Sequence, residues 1–271
     1  MKKKIGGVTL AWEDAGPLRP ERGQELPVVL LHAFPLNKSM WNLQRDELAR
    51  RYRVITPDFR GHGDSGVPEE DSTMGRLAED VRGLLDALGL ERVVLGGLSM
   101  GGYVAFAFYR RHAARVAALI LANTRASADT EEGRPARYQL ARVAEQEGSS
   151  AVAVRMLPKL LAASTREKQP PVVARVREMI LSTSPAGIAR ALRGMAVRSD
   201  STSLLPTIQC PTLVLAGAED SLTPPAEAEA MTKSIPGARF EVIPEAGHLS
   251  NLEQPARFTR RLDDFLARLR P

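Results

Sequence analysis

The chain has 271 residues, 44% hydrophobic and 25% charged, with a formal net charge of +5. That balance excludes a disordered chain, because Leu, Val and Ala suffice to fill a core, and the length allows one large α/β domain or a core with an inserted unit. No apolar run approaches the roughly 18 residues needed to span a bilayer, so no membrane partner is expected.

The opening Met1-Lys2-Lys3-Lys4-Ile5-Gly6-Gly7 imitates the basic head of a secretion signal. Glu13, Asp14 and Pro17 arrive before any apolar stretch, so the expected location is cytoplasmic. Short apolar, β-branched runs then recur at Val8–Trp12, Pro27–Leu31, Tyr52–Thr56, Arg92–Leu95, Val116–Leu121, Pro211–Ala216 and Arg239–Ile243. Several are continuous rather than alternating, which suits strands buried on both faces of a mostly parallel sheet. Helical patterns lie between them, at Asn42–Ala49, Thr73–Leu88, Met100–Arg111, Pro225–Ser234 and Pro255–Leu269. In the second, Leu77, Val81, Leu84, Leu85 and Leu88 fall at helical spacing and Gly89 stops the run. Strand–helix alternation of this kind predicts a doubly wound α/β sheet.

The alternation stops after Asn123. Four helical candidates follow, Gly133–Gln146, Ser149–Leu161, Pro171–Leu181 and Pro185–Val197, separated by Gly148, the 164–170 stretch and Ser184-Pro185. Residues 1–123 and 206–271 therefore form the expected core, and 124–205 an inserted helical unit. Val152, Met156 and Leu160 share one face of the second candidate and need burial. The place left for them is over the strand ends, where ligands bind in such sheets.

From Thr124 to Leu205 there are 13 basic and 8 acidic residues, so this segment holds the whole net charge. Solvated helix faces explain that excess, and steering of anionic substrates is the functional alternative. No dense basic stripe or nucleic-acid motif accompanies it, so no nucleic-acid partner is expected. Four histidines and one cysteine without close pairing imply no structural metal site. The lone Cys210 precludes an internal disulfide and reads as a small core residue before a buried strand, with a nucleophile as the rival reading.

The strongest chemical signal is Gly97-Leu98-Ser99-Met100-Gly101-Gly102, placed between the strand pattern at Arg92–Leu95 and a helical stretch. Strand, Gly-x-Ser-x-Gly, helix is the setting of a nucleophile elbow, in which a strained turn lifts the serine hydroxyl to the tip of the sheet. The helix N-terminus beneath it favours developing negative charge. A serine hydroxyl needs a base. Of His32, His62, His112 and His248, the last lies in a loop after the Arg239–Ile243 strand. The chain order nucleophile, acid, histidine that accompanies such an elbow selects His248. The acid should follow an intervening strand, and Gly217-Ala218-Glu219-Asp220 does so. Asp220 is the favoured acid and Glu219 its rival.

Leu31-His32-Ala33-Phe34-Pro35, Asp58-Phe59-Arg60-Gly61-His62-Gly63-Asp64-Ser65, the Ser99 elbow, Gly217-Ala218-Glu219-Asp220 and Gly247-His248 together resemble the α/β-hydrolase superfamily over essentially the whole chain. Within it the sequence is similar to the small esterase, enol-lactonase and non-haem haloperoxidase/perhydrolase group. The resemblance implies the α/β-hydrolase fold, with the insertion as a helical lid. It implies a catalytic Ser99, Asp220 and His248 acting on a small-molecule ester or lactone without metal or organic cofactor. It also implies an oxyanion hole from the backbone N–H groups of Phe34 and Met100, although Ala33 departs from the commoner glycine. Phe34, Met156 and Leu160 are the expected substrate contacts. Arg60 and His62 match a loop that is mostly structural in the family.

Serine at the elbow argues against the aspartate-dependent dehalogenases and epoxide hydrolases. Carbon–carbon bond hydrolases of aromatic degradation share Ser-Met-Gly-Gly but often carry a polar residue at the position of Leu98. A ligand sensor built on a hydrolase scaffold is the non-enzymatic alternative. The oligomeric state stays open.

Overall fold

The computed structural model describes residues 1–17 and 26–269. Its eight strands are β1 (Lys2–Ile5), β2 (Val8–Ala15), β3 (Val28–Leu31), β4 (Val54–Pro57), β5 (Val93–Leu98), β6 (Val116–Ala122), β7 (Thr212–Gly217) and β8 (Arg239–Ile243). They form one sheet in the order β1-β2-β4-β3-β5-β6-β7-β8, antiparallel only where β2 meets β1 and β4. Every residue of β3, β4, β5, β6 and β7 is buried, which is why their sequences are apolar without alternation.

The first strand was not among the sequence expectations. Lys2-Lys3-Lys4 reads as a charge run, but here it is an exposed edge strand paired to β2 from Lys2↔Ala11 to Ile5↔Val8. Gly6 and Gly7, both at positive φ, make the two-residue hairpin turn. Lysines on an edge strand also discourage pairing with a further chain.

The core helices are α1 (Asn42–Leu48), α2 (Met74–Ala87) and α3 (Met100–His112), followed after the insertion by α8 (Pro225–Lys233), α9 (Ser250–Glu253) and α10 (Pro255–Leu266). Thr73 caps α2 by accepting the Arg76 N–H, and Leu77, Val81, Leu84 and Leu85 are buried as their spacing requires.

Between β6 and β7 lie α4 (Arg134–Leu160), α5 (Ala163–Lys168), α6 (Pro170–Leu181) and α7 (Pro185–Ala196). The first two sequence candidates run on through α4, broken only at Gly148, whose φ of 80° and ψ of 179° are not helical. The separating 164–170 stretch is instead mostly α5, a helix too short to display a periodicity. Close backbone contact ties the insertion to the core: a Cβ on Gly187 would overlap the Gly61 carbonyl. Thr183 Oγ1 donates to the Pro35 carbonyl at 3.1 Å, and the Leu249 N–H to the Leu160 carbonyl at 3.1 Å. These contacts set the insertion over the loops that follow β3, β4 and β8, at the carboxyl edge of the sheet. Among the described residues, no helix is long and apolar enough to cross a membrane.

Candidate active site

Ser99 stands between β5 and α3 at φ 55° and ψ −113°. A non-glycine residue there carries strain on the order of 1–3 kcal/mol and persists only if its surroundings enforce it. The surroundings do so. The Ser99 N–H donates to the Ala122 carbonyl at 2.9 Å, and its carbonyl accepts from Gly102 N–H and Thr124 Oγ1, each at 2.9 Å. A Cβ at Gly97 would overlap the Gly101 carbonyl group, so the turn closes only with glycine there.

His248 and Asp220 come from loops after β8 and β7. His248 Nδ1 lies 2.8 Å from Asp220 Oδ2, and both residues are buried. Burial alone would raise the Asp220 pKa. The charge and hydrogen bond of His248, with hydrogen bonds from Asn123 and Thr223, overcome it and hold the carboxyl well below the usual range. Asn123 Nδ2 donates to Oδ2 at 2.9 Å and Thr223 Oγ1 at 2.5 Å, while the N–H groups of Leu222 and Thr223 donate to Oδ1 at 2.9 and 3.0 Å. With an ionised Asp220 facing Nδ1, that nitrogen carries the proton and Nε2 presents a lone pair. Glu219 is exposed. Sequence reasoning missed Asn123 and Thr223. Asn123 directly follows β6 at φ 44°, a conformation that suits asparagine, and that is its only local mark.

Phe34 follows β3, and Met100 is the first residue of α3, where backbone N–H groups lack an intrahelical acceptor. His32, passed over as a candidate base, bears on the Phe34 donor. Its Nε2 accepts the Phe59 N–H at 3.0 Å, so Nδ1 carries the proton and donates to the Ala33 carbonyl at 2.9 Å. That carbonyl also accepts the Leu36 N–H at 2.9 Å. Carbonyl and N–H of one trans peptide point in opposite directions, so anchoring the Ala33 oxygen fixes the direction of the Phe34 N–H. His62 packs on His32 at 5.1 Å between ring centroids and edge-on to Phe34 at 6.3 Å.

Burial pushes His32 down to about 4 and His62, with His32 beside it, to about 3. Both are neutral in the folded protein, whereas unfolded histidine titrates near 6.5. Between about pH 6 and pH 4 the unfolded chain takes up protons that the folded one refuses, so stability falls with pH by about 1.4 kcal/mol per pH unit per histidine. Urea midpoints should drop steeply from pH 6 to pH 4, and His62→Gln should roughly halve the slope. A midpoint unchanged between pH 7 and pH 5 would contradict this burial.

Ser99, His248 and Phe34 line one cavity of about 610 Å³, together with Met156, Leu160, Leu192 and Met195 from the insertion. Of the expected residues, Ser99, His248, Phe34, Met156 and Leu160 thus meet in one cavity, while Asp220 and Met100 are buried behind His248 and Ser99 without lining it. Val152, on the Met156 face, is buried without lining the cavity. The charged wall comprises Arg125, Arg137, Arg155 and Lys159 against Asp129. Burial opposes the charge on Arg137, but Asp129, 2.8 Å from its Nε, keeps its pKa raised. Cys210 lies outside the cavity, half-buried, with its thiol pKa raised by burial.

The α/β-hydrolase fold family model matches residues 27–255. The chain is 34% identical to 3-oxoadipate enol-lactonase 1 of Acinetobacter baylyi over 239 residues, 88% of each protein. It is similar to the structure of a thermophilic esterase from Thermogutta terrifontis, malate bound, with 46% identity, 100% of each chain covered and a TM-score of 0.95. It is also similar to the enol-lactonase from Burkholderia xenovorans LB400, with 33% identity, coverage of 98% and 100%, and a TM-score of 0.89. The chain belongs to the α/β-hydrolase fold family.

Proposed function

We propose that this chain is a carboxylic-ester hydrolase that cleaves esters or lactones of small, carboxylate-bearing molecules through an acyl-enzyme on Ser99. The esterase and enol-lactonase relatives support the reaction class. The observation that carries the mechanism is the His248–Asp220 hydrogen bond at 2.8 Å, in the cavity that the strained Ser99 also lines.

In this reading His248 Nε2 takes the Ser99 hydroxyl proton as Oγ attacks the carbonyl carbon. The tetrahedral oxygen gathers charge against the N–H groups of Phe34 and Met100, an arrangement typically worth about 3 kcal/mol per donor. The imidazolium, stabilised by Asp220, returns the proton to the leaving alkoxide. A water activated by the same histidine then releases the acid and restores Ser99. The insertion acts as a lid: Met156 and Leu160 supply apolar contact and exclude water. The basic wall selects substrates with a carboxylate remote from the scissile bond.

A panel of neutral and anionic aryl esters and lactones of equal length, assayed over a salt series, tests this. Turnover over many cycles is expected, with kcat/KM for the anionic members higher at low salt and falling as salt is added, since screening is strong beyond about 10 Å at 0.1 M. Absence of turnover on every member would reject the hydrolase. Identical salt dependence for neutral and anionic esters would reject the carboxylate preference.

A further inference from the structure

A second cavity, of about 320 Å³, shares Tyr103 and Arg125 with the one that Ser99 lines. It is enclosed by the first turn of α2, one face of α3, and the chain leaving α7. Four of its lining residues are arginines, Arg110, Arg111, Arg125 and Arg198, and none of the described lining residues is acidic.

Few carboxylates answer these charges. Arg198 pairs with Asp129 at 2.6 Å, but Asp129 also serves Arg137. Arg111 reaches Glu79 at 3.3 Å, and Glu79 already binds Arg82 and His112. Arg125 Nε faces Glu227 Oε2 at 3.5 Å, an ion pair without a hydrogen bond among the described residues, and Arg125 Nη2 donates to the Leu222 carbonyl. Among the described residues Arg110 donates to neutral acceptors, the Asp200 carbonyl at 2.8 Å and Ser201 Oγ at 3.1 Å. The start of α2 adds positive potential with no acidic side chain in its first turn. Arg111 presses against that turn: a Cβ on Gly75 would lie 2.9 Å from its Nη2. A cation at a helix N-terminus is the reverse of the favourable arrangement, and an anion between them relieves the conflict.

We propose that this second cavity binds a compact oxyanion, a small molecule bearing phosphate or clustered carboxylates, and that its occupancy is felt in the catalytic cavity. Planar guanidinium groups suit such oxygens. The link runs through Arg198, which stacks on Tyr103 at 4.3 Å and shares Asp129 with Arg137 on the catalytic wall. An oxyanion that engages Arg198 leaves Asp129 to Arg137 and weakens the pull of that wall on an anionic substrate. The coupling rests on the proposed hydrolase reading; the binding site does not.

Calorimetric titration of the full chain at low, fixed ionic strength tests the site, with pyrophosphate in one arm and citrate in the other. Saturable binding of either supports it, and the arm that binds tighter identifies the anion chemistry. The double variant Arg110→Gln/Arg111→Gln should weaken binding at least tenfold, as expected for loss of charge-assisted hydrogen bonds. Ser99→Ala and Lys159→Gln, both at the catalytic cavity and neither touching Asp129, should leave it intact. No binding in either arm, or binding lost with Lys159→Gln but indifferent to the double variant, would overturn the site. In kinetics, the bound oxyanion should raise KM for an anionic ester several-fold and leave a neutral ester unchanged. Equal effects on both would overturn the coupling. Wild-type enzyme without turnover would instead reject the hydrolase reading and leave the titration standing.

Discussion

Ser99→Ala is expected to lower kcat by about a millionfold, the scale on which a serine hydrolase loses its rate when the nucleophile goes. The variant should fold, because the bonds that hold the turn are made by backbone: Ser99 N–H to the Ala122 carbonyl, and Ser99 carbonyl to Gly102 and Thr124. Alanine takes the positive φ no more readily than serine, so a modest loss of stability is expected alongside. A serine-directed phosphonate should add once to the wild-type mass and not at all to the variant. Binding of a non-hydrolysable ester analogue should survive within a few-fold, since Phe34, Met156 and Leu160 still line the cavity. Undiminished turnover or labelling would remove Ser99 from the mechanism.

Asp220→Asn is expected to lower kcat by about ten-thousandfold while leaving most of the structure in place. The reason is the crowding of donors on one oxygen. Oδ2 accepts from His248 Nδ1, Asn123 Nδ2 and Thr223 Oγ1, and Oδ1 from two backbone N–H groups. An amide must turn its NH2 toward one of these sets. Facing His248, it forces the proton onto Nε2, and the base can no longer accept from Ser99. Facing the backbone, it leaves buried N–H groups unsatisfied, at about 1–3 kcal/mol each. Glu219→Gln is the contrast, because Glu219 is exposed and should stay within a few-fold of wild type. Equal loss in the two variants would dismiss Asp220 as the orienting acid. The depressed Asp220 pKa adds a stability difference with a definite sign. The wild type holds this stabilisation above the unfolded aspartate pKa near 3.9 and loses it as acid titrates the folded carboxyl, whereas the asparagine variant has none to lose.

Much of the molecule was legible one residue at a time. Strands buried on both faces announce themselves as unbroken apolar runs, and α2 by its leucine spacing, because burial acts on each position through local geometry. The elbow was legible because a turn this tight admits only glycine at Gly97, and because strand, turn and helix are contiguous. Loop order after β7 and β8 then pointed to Asp220 and His248. Other features left no such trace. Lys2-Lys3-Lys4 carries no β signal, since an edge strand takes its hydrogen bonds from a neighbour and keeps its side chains in water. Asn123 reaches Asp220 from the far side of the insertion, 97 residues away, whereas Thr223 lies in the same loop as Asp220 but carries no periodic signal. His32 became meaningful only when its two nitrogens were seen to face the Phe59 N–H and the Ala33 carbonyl. The shared use of Asp129 by Arg137 and Arg198 likewise joins residues from opposite ends of the insertion. A hydrogen bond or ion pair between distant segments depends on where loops travel, and no period in the chain records that path. Composition and pattern determined the sheet, the elbow and the inserted helices. Only the tertiary structure decided which polar groups share a partner, because buried donors and acceptors are satisfied by whichever segments the packed core brings within about 3 Å.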